Sequence, residues 1–132
     1  SWSKYSNATC ITPNKKEAEK ELGVILRNDT DFEKAAQSIC DKYNFKSCLI
    51  TRGSQGLTYS IGTKIIRQEA RKKEVFDVSG AGDTVISCMA SSYISSLKIN
   101  DCLELSTFLA SEVVAYSGTV PFSIEMIKSR YV

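Results

Sequence analysis

The sequence predicts an α/β fold in which helices connect short buried strands, with a β-hairpin appended. Three observations carry this. A helical repeat of apolar residues from Phe32 to Tyr43 lies between two short apolar runs, at residues 8–12 and 47–51. A helix joining two such runs implies a parallel βαβ unit. Two further short runs flank Ile61-Gly62-Thr63 and read as a hairpin. Beyond them a glycine turn, Gly80-Ala81-Gly82, feeds a long segment of helical periodicity.

Taken in order, Ala-Thr-Cys-Ile-Thr at residues 8–12 reads as a strand that Pro13 ends, because proline cannot donate to a ladder. Asn14 then opens a helix over residues 15–22, with Glu17 at the N3 spacing and Gly23 as its stop. Thr30 opens the next, with Glu33 at capping-box spacing. Its apolar stripe is Phe32, Ala35, Ala36, Ile39, Cys40 and Tyr43, and Asn44 ends it. Residues 47–51 are almost continuously apolar, as expected of a strand covered on both faces. Arg52-Gly53-Ser54-Gln55-Gly56 is a glycine turn, residues 57–60 and 64–67 form the hairpin, and residues 74–76 form a short strand. Over residues 84–98, Val85, Met89, Tyr93 and Leu97 share a face that Ile86 and Ile94 widen, which predicts a largely buried helix. Asn100-Asp101 starts another, with Asp101 and Glu104 at capping spacing; it carries Leu105, Phe108, Leu109, Val113 and Tyr116 inward and ends at Gly118. Residues 123–129 form a last short helix. With no repeat, low-complexity tract or linker, the chain reads as one compact unit.

Composition narrows the chemistry. Seventeen basic against fifteen acidic residues leave a formal charge of +2. That provides no electrostatic case for nucleic acid, and no basic stripe with interleaved aromatics occurs. The five cysteines are scattered with no Cys-x-x-Cys, and histidine is absent, so a zinc site lacks its usual ligands. All five read as buried small hydrophobes in a reducing cytoplasm. No signal peptide or membrane span is evident. The lack of histidine also removes Ser/His/Asp and Cys/His catalysis within the chain.

The central stretch is Asp77-Val78-Ser79-Gly80-Ala81-Gly82-Asp83-Thr84. Glycines at a helix start leave backbone N–H groups pointing outward, and the helix dipole adds positive charge there, a combination that binds phosphate. Asp83 beside such a cradle could accept a proton from a substrate hydroxyl. Phosphoryl transfer needs little else beyond positioning and charge stabilisation. Neither a Gly-x-x-x-x-Gly-Lys-Ser/Thr loop nor a Gly-x-Gly-x-x-Gly fingerprint is present. Taken alone, the stretch also reads as an ordinary helix start with an acid in its first turn.

This stretch resembles the signature of the ribokinase-like (carbohydrate kinase) superfamily. The resemblance implies a three-layer α/β/α fold with a mostly parallel sheet plus a β-hairpin, present here as a partial domain. It makes Asp83 the catalytic base and Gly80, Ala81 and Gly82 the anion cradle. Asn14-Lys15-Lys16-Glu17 resembles the family's Asn-x-x-Glu, which implies that Asn14 and Glu17 organise Mg²⁺, largely through water; its plain alternative is a helix cap. Thr51-Arg52-Gly53-Ser54-Gln55-Gly56 resembles the Thr-x-Gly-x-x-Gly turn that lies against the nucleotide, so Thr51, Gly53 and Gly56 are candidate ATP contacts. Thr107 and Ser111 occupy the place where the family often has an Asn in its adenine pocket, and Ser79 replaces a more usual Thr. A K⁺ ion bound by some members would fall on Asp77 and Ser79, with a loop near residues 118–123.

Tyr5, Ala8-Thr9, residues 11–14, Glu17, Gly23, Thr51-Arg52, Gln55-Gly56, residues 76–78 and residues 83–86 are similar to the D-β-D-heptose 7-phosphate kinase branch. That branch moves the ATP γ-phosphoryl group to the anomeric hydroxyl of the sugar phosphate in lipopolysaccharide precursor synthesis. Implied partners are ATP and a small sugar phosphate, with a homodimeric parent and neither nucleic acid nor membrane. Nothing in 132 residues corresponds to the family's N-terminal, sugar-binding half. The expectation is therefore a C-terminal nucleotide-binding and catalytic part spanning residues 1–132, inactive alone, with an exposed apolar edge or face and a tendency to self-associate. The other readings are a nucleotide-binding module without activity, and a ribokinase-like kinase for another small sugar or nucleoside.

Overall fold

The computed structural model describes residues 1–71 and 78–131. Where the sequence reads as one unit, the chain divides into two compact units, Ser1–Arg67 and Gln68–Val132.

In the first unit, a 3-10 turn (Trp2–Tyr5) leads into an extended segment that meets strand β1 (Ser47–Thr51) in parallel, at Ile11↔Cys48 and Asn14↔Thr51. The segment forms two bridges rather than the strand expected at residues 8–12. Helices α1 (Lys15–Leu22) and α2 (Asp29–Tyr43) make the crossover between the two parallel segments. Helix α1 has the expected limits: Gly23 turns left-handed at φ +67°. Helix α2 opens two residues earlier than expected. Its cap is Asn28, boxed with Asp31 rather than Thr30 with Glu33, because Asn28 can bond the N3 amide while Asp31 reaches back. Asn44 ends it in the left-handed region, as expected.

Strand β1 pairs antiparallel with β2 (Leu57–Ile61), and β3 (Lys64–Gln68) completes the order β1-β2-β3. Among the described residues the parallel part of the sheet is thus the two bridges at β1. Residues 47–50 are buried throughout. Ala18, Phe32, Ala36, Ile39, Tyr43, Phe45, Cys48 and Ile50 form the core, with Trp2 and Leu22 against it.

The second unit is helical: α3 (Ala81–Ser95), α4 (Ile99–Val113) and α5 (Ile124–Tyr131). The strand expected at residues 74–76 lies outside the described residues. Helix α3 begins three residues before the expected start and stops at Ser96, which is left-handed. It is not largely buried. Val85, Cys88, Met89 and Ser92 are covered, whereas Ile86, Tyr93, Ile94 and Leu97 are exposed. Helix α4 takes only one narrow stripe, packing Cys102 Sγ 3.2 Å from Met89 Sδ. Helix α4 starts at Ile99 without a side-chain cap, so Asp101 lies in the first turn, where it complements the dipole instead of capping. Phe108, Leu109 and Val113 point inward as expected; Tyr116 lies beyond the helix and is exposed. All five cysteines are free thiols, four of them buried. Among the described residues no helix is long and apolar enough to cross a membrane.

Candidate functional site

Two sequence motifs converge in the first unit. The parallel pairing of Asn14 with Thr51, closed by the Thr51 N–H donating to Pro13 O at 3.0 Å, sets the start of α1 beside the end of β1. Carboxyl ends of parallel segments followed by helix starts are where α/β proteins hold ligands. Asn14 and Glu17 form a complete capping box: the Asn14 N–H donates to Glu17 Oε2 at 2.8 Å, and the Glu17 N–H to Asn14 Oδ1 at 3.0 Å. The plain-cap geometry is thus present. It leaves the exposed Glu17 carboxylate with acceptor capacity to spare.

Beyond Thr51 the chain turns through a 3-10 segment, Gly53–Gln55. The Arg52 N–H donates to Gly56 O at 2.8 Å and the Gly56 N–H to Gly53 O at 3.1 Å. Gly56 has φ 91° and ψ −132°, which a Cβ would forbid. The second glycine of the motif is therefore a requirement of the turn.

Arg52 itself carries a role the motif spacing did not single out. Its side chain is only 9% exposed, and Nη2 bonds Asp29 Oδ1 at 2.6 Å. Its guanidinium stacks 4.3 Å from the Phe32 ring centroid. Asp29 also receives Arg67 Nη1 at 2.8 Å, and Arg67 Nε meets Glu33 at 3.3 Å. The Arg52 hydrogen bond, more than any other contact, holds the Asp29 carboxyl below its ordinary range. The signal available in the sequence was an acid at a helix start with one arginine just after a strand and another within one, a pattern that becomes specific only once pairing is known.

In the second unit Gly80 caps α3 at φ 82°. The Thr84 N–H and hydroxyl both donate to Gly80 O at 2.9 Å. A Cβ on Gly80 would lie 2.9 Å from Thr119 Cγ2, so the turn at residues 79–80 and the loop after Gly118 are in close contact. The Ala81 N–H turns back to Val78 O at 3.3 Å. Gly82 faces open space and Asp83 is exposed in the first turn. Of the expected three-residue cradle, the amide of Ala81 is therefore partly spent, and Gly82 and Asp83 present the outward N–H groups of the helix start. Ser79 is exposed in the same turn. Asp77 lies outside the described residues. Thr107 and Ser111 are both buried in α4, where their hydroxyls donate to Leu103 O (2.7 Å) and Phe108 O (2.6 Å). Among the described residues no three His, Cys, Asp or Glu side chains gather as a metal cluster.

A crossover over a small sheet, followed by a glycine-capped helix with an acid in its first turn, defines a ribokinase-like partial α/β domain. Phosphofructokinase-2 from Escherichia coli, solved in complex with substrates and products, shares this fold at a TM-score of 0.86 and 21% identity, over 98% of this chain and 42% of its own. Ribokinase from Arabidopsis thaliana, complexed with ribose and ATP, matches at a TM-score of 0.81 and 27% identity, over 90% of this chain and 39% of its own. Residues 3–125 match the pfkB family carbohydrate kinases, and the chain belongs to that family. Among curated relatives, the bifunctional protein HldE of Desulfatibacillum aliphaticivorans is 38% identical over 130 residues, 98% of this chain and 27% of the relative. HldE of Campylobacter fetus subsp. fetus (strain 82-40) is 35% identical over 132 residues, 98% of this chain and 29% of the relative. The chain therefore spans less than a third of these relatives' length.

Proposed function

We propose that this chain is the nucleotide-binding and catalytic part of an ATP-dependent sugar kinase, whose parent moves the γ-phosphoryl group to the anomeric hydroxyl of D-glycero-D-manno-heptose 7-phosphate. The observation that carries the reading is the start of α3. Gly82 opens to space, Asp83 is exposed one residue on, and the left-handed Gly80 lets the backbone present amides there. Family membership supports kinase chemistry, and the resemblance to HldE proteins supports a heptose phosphate as the acceptor.

In this reading Asp83 accepts the proton of the attacking sugar hydroxyl, a role worth on the order of 10²–10⁴-fold in rate. Of the Gly80, Ala81 and Gly82 amides, those not spent within the turn offset charge on the transferring group, Ala81 contributing only what its bond to Val78 O leaves. Thr51, Gly53 and Gly56 form the wall against the nucleotide, and Thr107 and Ser111 lie by the adenine. Either of those two would contact the base as an acceptor, since each hydroxyl proton is already donated within α4. Mg²⁺ needs few protein ligands and keeps several waters. The spare acceptor capacity of Glu17, next to Asn14, fits that demand, and the ion would supply charge neutralisation between phosphates. K⁺ at Asp77, Ser79 and the loop after Gly118 belongs to the same proposal; the close approach of Thr119 to Gly80 supports it. The parent is proposed to be a cytoplasmic homodimer.

A second reading is that these residues bind nucleotide but do not turn over. Calorimetry with Mg-ATP and a kinase assay on the 132 residues separate the two; turnover by this chain alone refutes the module reading. In the full-length parent, Asp83→Asn is expected to remove phosphoryl transfer while ATP still binds. Near-normal turnover would overturn the assignment of the base. A substrate panel on the parent decides between heptose phosphate and another small sugar or nucleoside.

A further inference from the structure

Arg52 occupies an unusual position for a residue in a surface turn. Both of its backbone groups close the turn: its N–H donates to Gly56 O at 2.8 Å, and its carbonyl accepts from the Gln55 N–H at 3.2 Å. Its side chain leaves the turn and is buried against two other elements. Nη2 reaches Asp29 at the start of α2 (2.6 Å), Nη1 reaches Thr58 Oγ1 in β2 (3.4 Å), and the guanidinium lies on the Phe32 ring. Nε is buried with no hydrogen-bond partner among the described residues.

Burying a guanidinium with one donor unsatisfied is a poor way to gain stability. What a planar fork does provide is a fixed direction. Here it ties the turn to the helix start and to the neighbouring strand at once. Asp29 is the shared element: it accepts Arg52 on Oδ1 and Arg67 on Oδ2, so β3 also braces the carboxylate that holds the turn.

We infer that Arg52 is a positioning residue, which through Asp29 and Thr58 holds the Thr51–Gly56 turn in the shape that receives the nucleotide. This rests on the reading of that turn as the nucleotide wall, and the test separates the two. Backbone amide exchange is measured on the 132-residue chain without nucleotide, and ADP binding is measured separately by calorimetry. Asp29→Asn is expected to speed exchange at Arg52, Gln55 and Gly56 about tenfold while Leu49 and Tyr59 in the strands stay unchanged. It is also expected to weaken ADP binding about tenfold. Arg67→Gln leaves the Arg52 contact in place and is expected to change turn exchange less than about twofold. Arg52→Lys does not restore slow exchange, because one ammonium cannot hold Asp29 and Thr58 in the fork's geometry. If Asp29→Asn does not fold, Thr58→Val removes the other anchor and reads the same amides.

Turn amides that exchange as in the unaltered chain, or that speed up only in step with the strands, would overturn the clamp. Loosened turn amides with unchanged ADP affinity would overturn its link to the nucleotide. If the unaltered chain fails to bind ADP, the nucleotide reading falls, and the exchange data still decide the clamp.

Discussion

Gly80 is constrained twice over. Its φ of 82° is costly for any residue with a Cβ, and the Cβ would also meet Thr119 Cγ2 at 2.9 Å. Gly80→Ala is expected to destabilise the second unit by about 1–2 kcal/mol through the backbone alone, with the clash adding to it, read as a lower thermal midpoint. Thr119→Ser in that background removes the methyl that clashes and should recover part of the loss, the dihedral part remaining. Asp29 shows a different residue-level dependence. Its folded pKa is depressed, first by the Arg52 hydrogen bond and also by the Arg67 contacts, so its contribution is present above the ordinary value of 3.8 and is lost as pH falls through the lower folded value. Urea midpoints measured from pH 5 down to pH 2.5 should fall, and Arg52→Gln should flatten that fall. Glu21, depressed chiefly by its hydrogen bond from the Tyr43 hydroxyl, acts in the same direction, its contribution present above the ordinary 4.5 and lost as pH falls through its lower folded value, so some slope persists in the variant.

Helices α3 and α4 show how an element's two faces separate. Leu103 is fully buried in α4, and truncation to Ala should cost about 2–5 kcal/mol, measurable by chemical denaturation. Ile94 on α3 is 87% exposed. Ile94→Lys should leave the thermal midpoint within about a degree and raise solubility, since a surface change away from caps and cores falls within about 0.5 kcal/mol. Periodicity alone marked Ile94 as inward. The repeat was real, but it was broader than the stripe that one neighbouring helix can cover, and which part of a broad apolar face is covered is decided by the partner. The start of α2 shows the same limit at an end. Thr30/Glu33 and Asn28/Asp31 both have capping-box spacing. The second pair won because the Asn28 side chain bonds the Asp31 N–H at 3.0 Å, while the Asp31 carboxylate also receives the Arg27 N–H at 2.9 Å.

For the whole chain, Ile86, Tyr93 and Ile94 on α3 and Leu97 just beyond it are exposed apolar side chains. The sequence by itself determined the elements whose signals are local. The Asn14–Glu17 box, the left-handed stops at Gly23 and Asn44, the turn that needs Gly56, the hairpin around Gly62 and the glycine-led start of α3 all follow from backbone sterics and hydrogen bonds within a few residues. It also supplied the ordered motifs by which the family is recognised. The tertiary structure decided what depends on distant partners: the pairing that sets Asn14 beside Thr51, the Arg52–Asp29–Arg67 network across residues 29–67, the approach of Thr119 to Gly80, and the burial of the Thr107 and Ser111 hydroxyls in α4. The physical reason is range. A cap or a left-handed glycine is fixed by its own neighbours along the chain, whereas an ion pair or a covered helix face exists only when packing brings remote segments within a few ångströms.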